Sequence, residues 1–184
     1  MKNFILSSAA FFAFAVLGTN TLGAQVTSNT ATTTANIILD DVISIDAGSV
    51  ANGGKVDFEY KTTADYNTDK TVPVPNSLKV ISSTPFDVKV KAAGTDFENG
   101  SNKIAVGVLR LAVTNTTTTG GTPAAVTLSN NDQQLLSNAN RSSKAEPVSV
   151  DISYTIPSAE AKEQIFGKIK GTYTQKVIYT ATTK

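Results

Sequence analysis

The chain has 184 residues, with 16 lysines and arginines against 15 aspartates and glutamates, so its net charge gives no reason to bind nucleic acid or an anionic membrane. It contains no histidine and no cysteine, which excludes disulfides, a Ser-His-Asp triad, and thiolate or imidazole metal ligands. We therefore expect a non-enzymatic protein that needs no cofactor or metal and is held together by packing.

Residues 1–24 have the pattern of a secretory signal peptide. Lys2 precedes an apolar run from Phe4 to Leu17, and small and polar residues follow. The run is shorter than the roughly 20 residues that a membrane-spanning helix needs. We predict export and cleavage after Ala24, with cleavage after Gly23 as the alternative, and no membrane insertion once the signal is removed.

The segment from Gln25 to Leu39 is predicted to be an extended N-terminal arm. Its first part is rich in threonine and offers little apolar surface to bury. Hydrophobic density begins at Ile37 and continues to Ile45, interrupted by Asp40-Asp41. This pattern predicts two short strands, or one strand with a bulge.

Alternation of apolar and polar residues then predicts a series of one-sided strands. They cover 55–61, where Val56, Phe58 and Tyr60 share one phase, then 78–81 and 86–91. Pro73 and Pro75 precede the second of these, and suit an edge or a connection because proline cannot donate to a central ladder.

The middle of the chain changes phase and then becomes polar. The apolar phase of 104–108 is opposite to that of 109–113, which predicts a bulge near Gly107 or a crossing between sheets. Residues 115–122 predict a mobile polar loop, and a short strand follows at Val126 and Leu128. Residues 158–166 favour a short helix that stops at Gly167.

The two strongest strand patterns lie near the C-terminus. Residues 147–156 alternate without a break, with Val150, Ile152 and Tyr154 predicted to point inward. Residues 171–182 read GTYTQKVIYTAT and place Tyr173 and Tyr179 in one phase with other apolar residues. We expect these two strands to be companions.

Seven or more short strands without long intervening helices predict an all-β, immunoglobulin-like, two-sheet antiparallel sandwich over residues 40–184. It would carry the extended arm at its N-terminus and one short helix or helical turn. A single domain fits this length. A closed barrel is the alternative.

One acidic motif resembles the opening of a calcium loop. Asp65, Asn67 and Asp69 have the required spacing, but Lys70 replaces the glycine and Asn76 replaces the closing glutamate. A solvated turn is therefore favoured.

Two further groups of residues are candidate sites. Asp40 and Asp41 are adjacent on a predicted strand and would face opposite ways, which favours a charged edge over paired catalytic acids. The tyrosines that lie in phase with apolar residues favour core packing with the hydroxyl at the rim over a sugar-stacking platform: Tyr60, Tyr154, Tyr173 and Tyr179. Tyr66 and Phe97, in polar loops, are the better candidates for exposed contact.

The C-terminal pattern VSVDISYTIPSAE, followed by GTYTQKVIYTAT, resembles the end of secreted pilin-type domains. The most similar are archaic chaperone-usher pilins and spore-coat U-like domains. The resemblance covers roughly the final quarter of the chain, and β-sandwich ends converge on such patterns. Many of those pilins carry a disulfide near the N-terminus, whereas this chain has no cysteine, so the resemblance does not specify the assembly pathway.

This resemblance implies a structural subunit of a bacterial surface fibre, a fimbria or pilus, in which the arm of one copy completes the sandwich of the next. It also implies secretion to the cell surface, and a periplasmic chaperone and an outer-membrane assembly protein as partners besides copies of the chain itself. The donated strand would use the most apolar phase of the arm: Ala31, Ala35, Ile37 and Leu39. A self-contained secreted module that binds carbohydrate or another surface polymer is the alternative, and an enzyme ranks third.

Overall fold

Antiparallel strands form most of the regular structure in the computed structural model, which describes residues 33–143 and 146–184. In chain order the strands are β1 (Ile43–Ile45), β2 (Lys70–Ser82), β3 (Phe86–Ala92), β4 (Asp96–Asn99), β5 (Asn102–Ala105), β6 (Arg110–Val113), β7 (Thr122–Pro123), β8 (Val126–Thr127), β9 (Gln133–Ala139), β10 (Val148–Ile156) and β11 (Val177–Thr183). Five short helical segments connect them: α1 (Thr63–Asn67), a 3-10 turn (Val106–Val108), α2 (Thr116–Thr119), α3 (Ser158–Glu160) and a π-helical turn (Ala161–Ile165).

The strands form two main sheets and one hairpin. The first sheet has the order β1-β2-β10-β6-β8, the second has the order β11-β3-β9-β7, and β4 pairs with β5. Every one of these pairings is antiparallel. The predicted all-β antiparallel sandwich is therefore confirmed.

The core is built from the inward phases of the long strands. In β10 the alternation holds as predicted, since Val150 and Ile152 are fully buried and Tyr154 is 4% exposed. In β3, Phe86, Val88, Val90 and Ala92 are buried while the residues between them are more open. Because side chains two apart share a face, one phase of each strand supplies the core.

Strand β2 includes Pro73 and Pro75, which the sequence placed at an edge or in a connection. Among the described residues, β10 is the one strand that pairs with β2 beside these prolines, because β1 pairs only with residues 80–82. This part of β2 is therefore an edge of the sheet, as predicted. Asn76 follows with a φ of 53°, and its N–H donates to Asp151 Oδ1 at 2.7 Å. This bulge shifts the β2–β10 register between Val150 and Ile152.

Several predicted elements differ in the structure. Residues 37–42 carry no strand, so β1 is all that forms of the predicted pair. The predicted loop at 115–122 contains α2, where Thr119 is fully buried and its hydroxyl donates to the Asn115 carbonyl at 3.2 Å. The phase change near Gly107 is a crossing, since β5 belongs to the hairpin and β6 to the first sheet.

The C-terminal strands also differ from the expectation. β11 begins at Val177 rather than Gly171, and residues 171–176 are irregular apart from one bridge between Thr174 and Glu98. The expected companions β10 and β11 lie in different sheets. They meet across the core instead, where the hydroxyls of Tyr154 and Tyr179 are hydrogen-bonded to each other.

Candidate functional site

The second sheet ends at β11, and this edge is the candidate site. All seven residues of β11 pair with β3 on one side, and on the other side no strand of the described residues pairs with it. Short or covered edges are the usual protection against unwanted pairing. The main-chain groups on this side of β11 are therefore unpaired within the described residues, although β1 of the first sheet lies close to part of this edge.

The inward face of β11 is incompletely covered. Val177, Tyr179 and Ala181 point toward the core but remain half-buried, whereas their partners on β3 are fully buried. Burial against neighbouring groups raises the pKa of the Tyr179 hydroxyl far above its usual range, with the contact to Tyr154 adding to the shift. The inward side chains of β11 are thus packed against the core but remain less buried than their partners on β3.

A cavity of about 250 Å³ opens beside this edge. Apolar side chains from both sheets contribute to it, namely Leu78 and Ile45 from the first sheet and Val177 and Tyr179 from β11. The remaining lining comes from the segment after β1, with Asp46, Ser49, Ala51 and Asn52. The volume is sufficient for one or two aliphatic side chains.

The segment 46–52 forms a firm wall of this cavity. Its main chain is hydrogen-bonded to β2, with Asp46 N–H donating to the Lys79 carbonyl at 2.7 Å and Ala51 N–H to the Ser77 carbonyl at 2.9 Å. Ser49 is buried, and its hydroxyl accepts from Lys79 N–H at 2.8 Å and donates to the Asp46 carbonyl at 2.7 Å. This wall is held independently of anything that enters the cavity.

The next segment, residues 55–60, was predicted to be a strand and is not one. Val56, Phe58 and Tyr60 do alternate with exposed residues and pack against the core in a half-buried state. Within the described part of the chain, however, no main-chain hydrogen bond involves residues 55–60. Residues 55–60 therefore have the side-chain alternation of a strand but no main-chain pairing with a neighbouring strand.

The N-terminal arm is described from residue 33 onward, so Ala31 lies outside the described residues. Ala35, Ile37 and Leu39 are all exposed, and Ile37 and Leu39 are each 86% exposed. Neither helix nor strand covers residues 33–42. Ile38, in the opposite phase, is 83% exposed.

The resemblance to a calcium loop does not produce converging ligands. Asp65 accepts from Lys70 Nζ at 2.7 Å and from the N–H groups of Lys61 and Thr62, and these donors lower the pKa of its carboxyl well below the usual range. Asp69 instead accepts from Ser158 N–H at 2.7 Å. Across residues 33–143 and 146–184, no three acidic residues come together as a metal site.

An aromatic cluster lies next to this loop. The rings of Tyr60 and Tyr66 are 4.8 Å apart, and Phe166 meets Tyr66 edge-on at 5.1 Å. Tyr66 and Phe97, which we expected to be exposed, are both half-buried against the core, so that expectation was wrong.

Two further exposed apolar residues lie in a segment that the sequence did not mark as a contact site. We call residues 166–170, FGKIK, the basic loop. Phe166 and Ile169 are each 62% exposed, and Lys168 and Lys170 lie beside them. The signal available in the sequence was a pair of glycines, Gly167 and Gly171, that bracket an apolar residue between two lysines.

In the described part of the chain no helix is long and apolar enough to cross a membrane. Comparison of the sequence with models of known protein families gave no match, and comparison with curated proteins gave none either.

Proposed function

We propose that the protein is a structural subunit of a bacterial surface fibre and that it assembles when the N-terminal arm of one copy adds as a strand to β11 of another. The observation that carries this proposal is the regular free edge of β11, with half-buried inward side chains beside a cavity. Strand addition at such an edge gives affinity through main-chain hydrogen bonds and specificity through alternate side chains in pockets.

The arm has the chemistry that this edge requires. Ile37 and Leu39 share one phase and are almost fully exposed. Burying an aliphatic side chain of this size stabilises by about 1.5 to 3 kcal/mol. The cavity beside Tyr179 has room for such a side chain, and the pairing groups of β11 are free to receive the backbone.

The proposal also includes the cellular location of the protein. Residues 1–24 read as a signal peptide, which supports export and a position at the cell surface or in an extracellular fibre. A chaperone that covers the β11 edge before assembly, and an outer-membrane protein that receives the subunit, are the partners that such an edge calls for, because a bare edge aggregates.

The test is deletion of Gln25 to Leu39, with polymerisation followed by electron microscopy and sedimentation. The truncated protein should form no filaments, yet it should bind a synthetic peptide of residues 25–39 and become more stable to heat. A matched peptide carrying Ile37→Asp and Leu39→Asp should neither bind nor stabilise.

A different result would contradict the proposal. If the full-length protein stays monomeric at high concentration and the deletion simply destabilises the domain, the arm is part of a complete sandwich. Specific binding of a glycan by those monomers would favour the carbohydrate-binding module instead.

A further inference from the structure

Two exposed charged segments of this chain have complementary chemistry. At the root of the arm, Leu39 is followed by Asp40 and Asp41, all exposed, and neither aspartate makes an ion pair among the described residues. Val42 anchors this root, since its carbonyl accepts from Ser83 N–H at 2.9 Å and its N–H donates to Ser83 Oγ at 2.9 Å. Asp40 and Asp41, the acidic pair, therefore lie next to a residue whose main chain is fixed by hydrogen bonds.

The basic loop is the counterpart. Lys168 and Lys170 are exposed and, within the described residues, take part in no ion pair. Its base is held, because Phe166 N–H donates to the Ala161 carbonyl at 2.9 Å and Tyr173 OH donates to the Ile169 carbonyl at 2.9 Å. The preceding turn adds Lys162 and Glu163, whose opposite charges offset each other.

We propose that the basic loop of one copy binds Asp40 and Asp41 of a second copy, pairing the two lysines with the two aspartates just beyond the donated strand. This inference rests on the proposed assembly by strand addition, and it identifies a second contact between the same two subunits. Leu39 ends the apolar part of the arm, so the contact begins where the donated strand leaves the groove.

The two segments cannot meet within one copy. β2 separates them, because its first residue, Lys70, pairs with Ile156, which leads through α3 to the basic loop. Its last residue, Ser82, pairs with Ile43, next to the acidic pair. Thirteen residues of strand extend roughly 40 Å. Any ion pair between these lysines and these aspartates therefore joins two molecules.

This contact also selects the direction of the donated strand. The basic loop precedes the start of β11 at Val177, while Thr183 at its other end pairs with Phe86. An arm that runs antiparallel to β11 brings Leu39–Asp41 to the Val177 end, from which residues 171–176 lead back to the loop. A parallel arm would bring them to the Thr183 end, which is farther along the chain from the loop.

Charge reversal tests the contact. The first variant carries Asp40→Lys and Asp41→Lys, and the second carries Lys168→Asp and Lys170→Asp. Each alone should polymerise about ten-fold less readily at low salt, because every contact then joins like charges. A mixture of the two should copolymerise as readily as the unaltered protein, since the arm of each variant matches the loop of the other.

A control variant has the same net charge as the second variant. It carries Lys89→Asp and Arg141→Asp, both exposed, with Lys89 on the outer face of β3 and Arg141 beyond the Phe86 end of the second sheet. It should polymerise like the unaltered protein. High salt should reduce the differences among all the variants.

The outcomes separate this inference from the proposed function. If deletion of the arm abolishes polymerisation but both reversed variants polymerise normally alone, the contact is wrong and strand addition stands. If no form of the protein polymerises, both are wrong. Binding of the unaltered protein, but not the Lys168→Asp and Lys170→Asp variant, to vesicles of phosphatidylglycerol would then assign the basic loop to an anionic membrane.

Discussion

At the scale of single residues, two tyrosines join the two sheets through the core. Tyr154 from β10 is buried, and its hydroxyl is hydrogen-bonded to that of Tyr179 from β11. Burial also raises the pKa of Tyr60 to about 12. Both Tyr60 and Tyr179 thus keep their protons in the folded protein at a pH where free tyrosine, with a pKa of about 10, loses them.

The raised pKa values predict a loss of stability in alkali. Their contribution to the free energy of unfolding is complete below a pH of about 10 and falls as the pH rises toward 12, because the unfolded chain then gains by ionising its tyrosines. The melting temperature, followed together with phenolate absorbance, should drop over this range.

A matched pair of variants checks the source of the effect. Tyr179→Phe should reduce the alkaline drop, because it removes the more strongly perturbed hydroxyl. Tyr173→Phe, whose hydroxyl is bonded at the exposed surface, should leave it unchanged. Equal curves for Tyr179→Phe and the unaltered protein would contradict the assignment.

At the scale of elements, β10 shows how far a periodic pattern determines a strand. It is paired on both sides, with β2 and β6, and its predicted inward residues are the buried ones. Residues 55–60 have the same alternation but no partner strand, so the pattern produced half-buried side chains and no strand. Periodicity specifies which side chains face the core, whereas a strand also requires a neighbour at the right distance.

Neighbouring residues of β10 should therefore respond very differently to the same substitution. Ile152→Asp places a charge in a fully buried position and should prevent folding, whereas Ser153→Asp faces outward and should cost under about 0.5 kcal/mol. Urea unfolding of both variants measures the difference. Similar damage from the two would mean that both faces of β10 are buried.

At the scale of the whole molecule, the proposed assembly depends on which main-chain groups of β11 remain free. In an antiparallel strand the N–H groups of successive residues point to opposite sides. At Thr180 and Ala181, in the middle of β11, one N–H therefore faces β3 and the other faces the open edge.

Proline at these two positions should separate folding from assembly. The variant that loses the N–H facing β3 should be unstable, while the other should fold as a monomer and fail to polymerise, because proline cannot donate to an added strand. Thermal unfolding and sedimentation distinguish the two. Normal polymerisation of both variants would show that the β11 edge is not where subunits join.

The sequence by itself determined the all-β class and the inward phases of β3 and β10, because alternation is a local property of an extended chain. It also located a change of phase near Gly107, but left open whether this was a bulge or a crossing, and the structure shows a crossing. The tertiary structure alone decided that β10 and β11 belong to different sheets, that β11 has a free side next to a cavity, and that residues 55–60 stay unpaired. It also placed the acidic pair and the basic loop at opposite ends of β2. These properties depend on which distant segments of the chain become neighbours in space, and the local alternation of apolar and polar residues does not specify that.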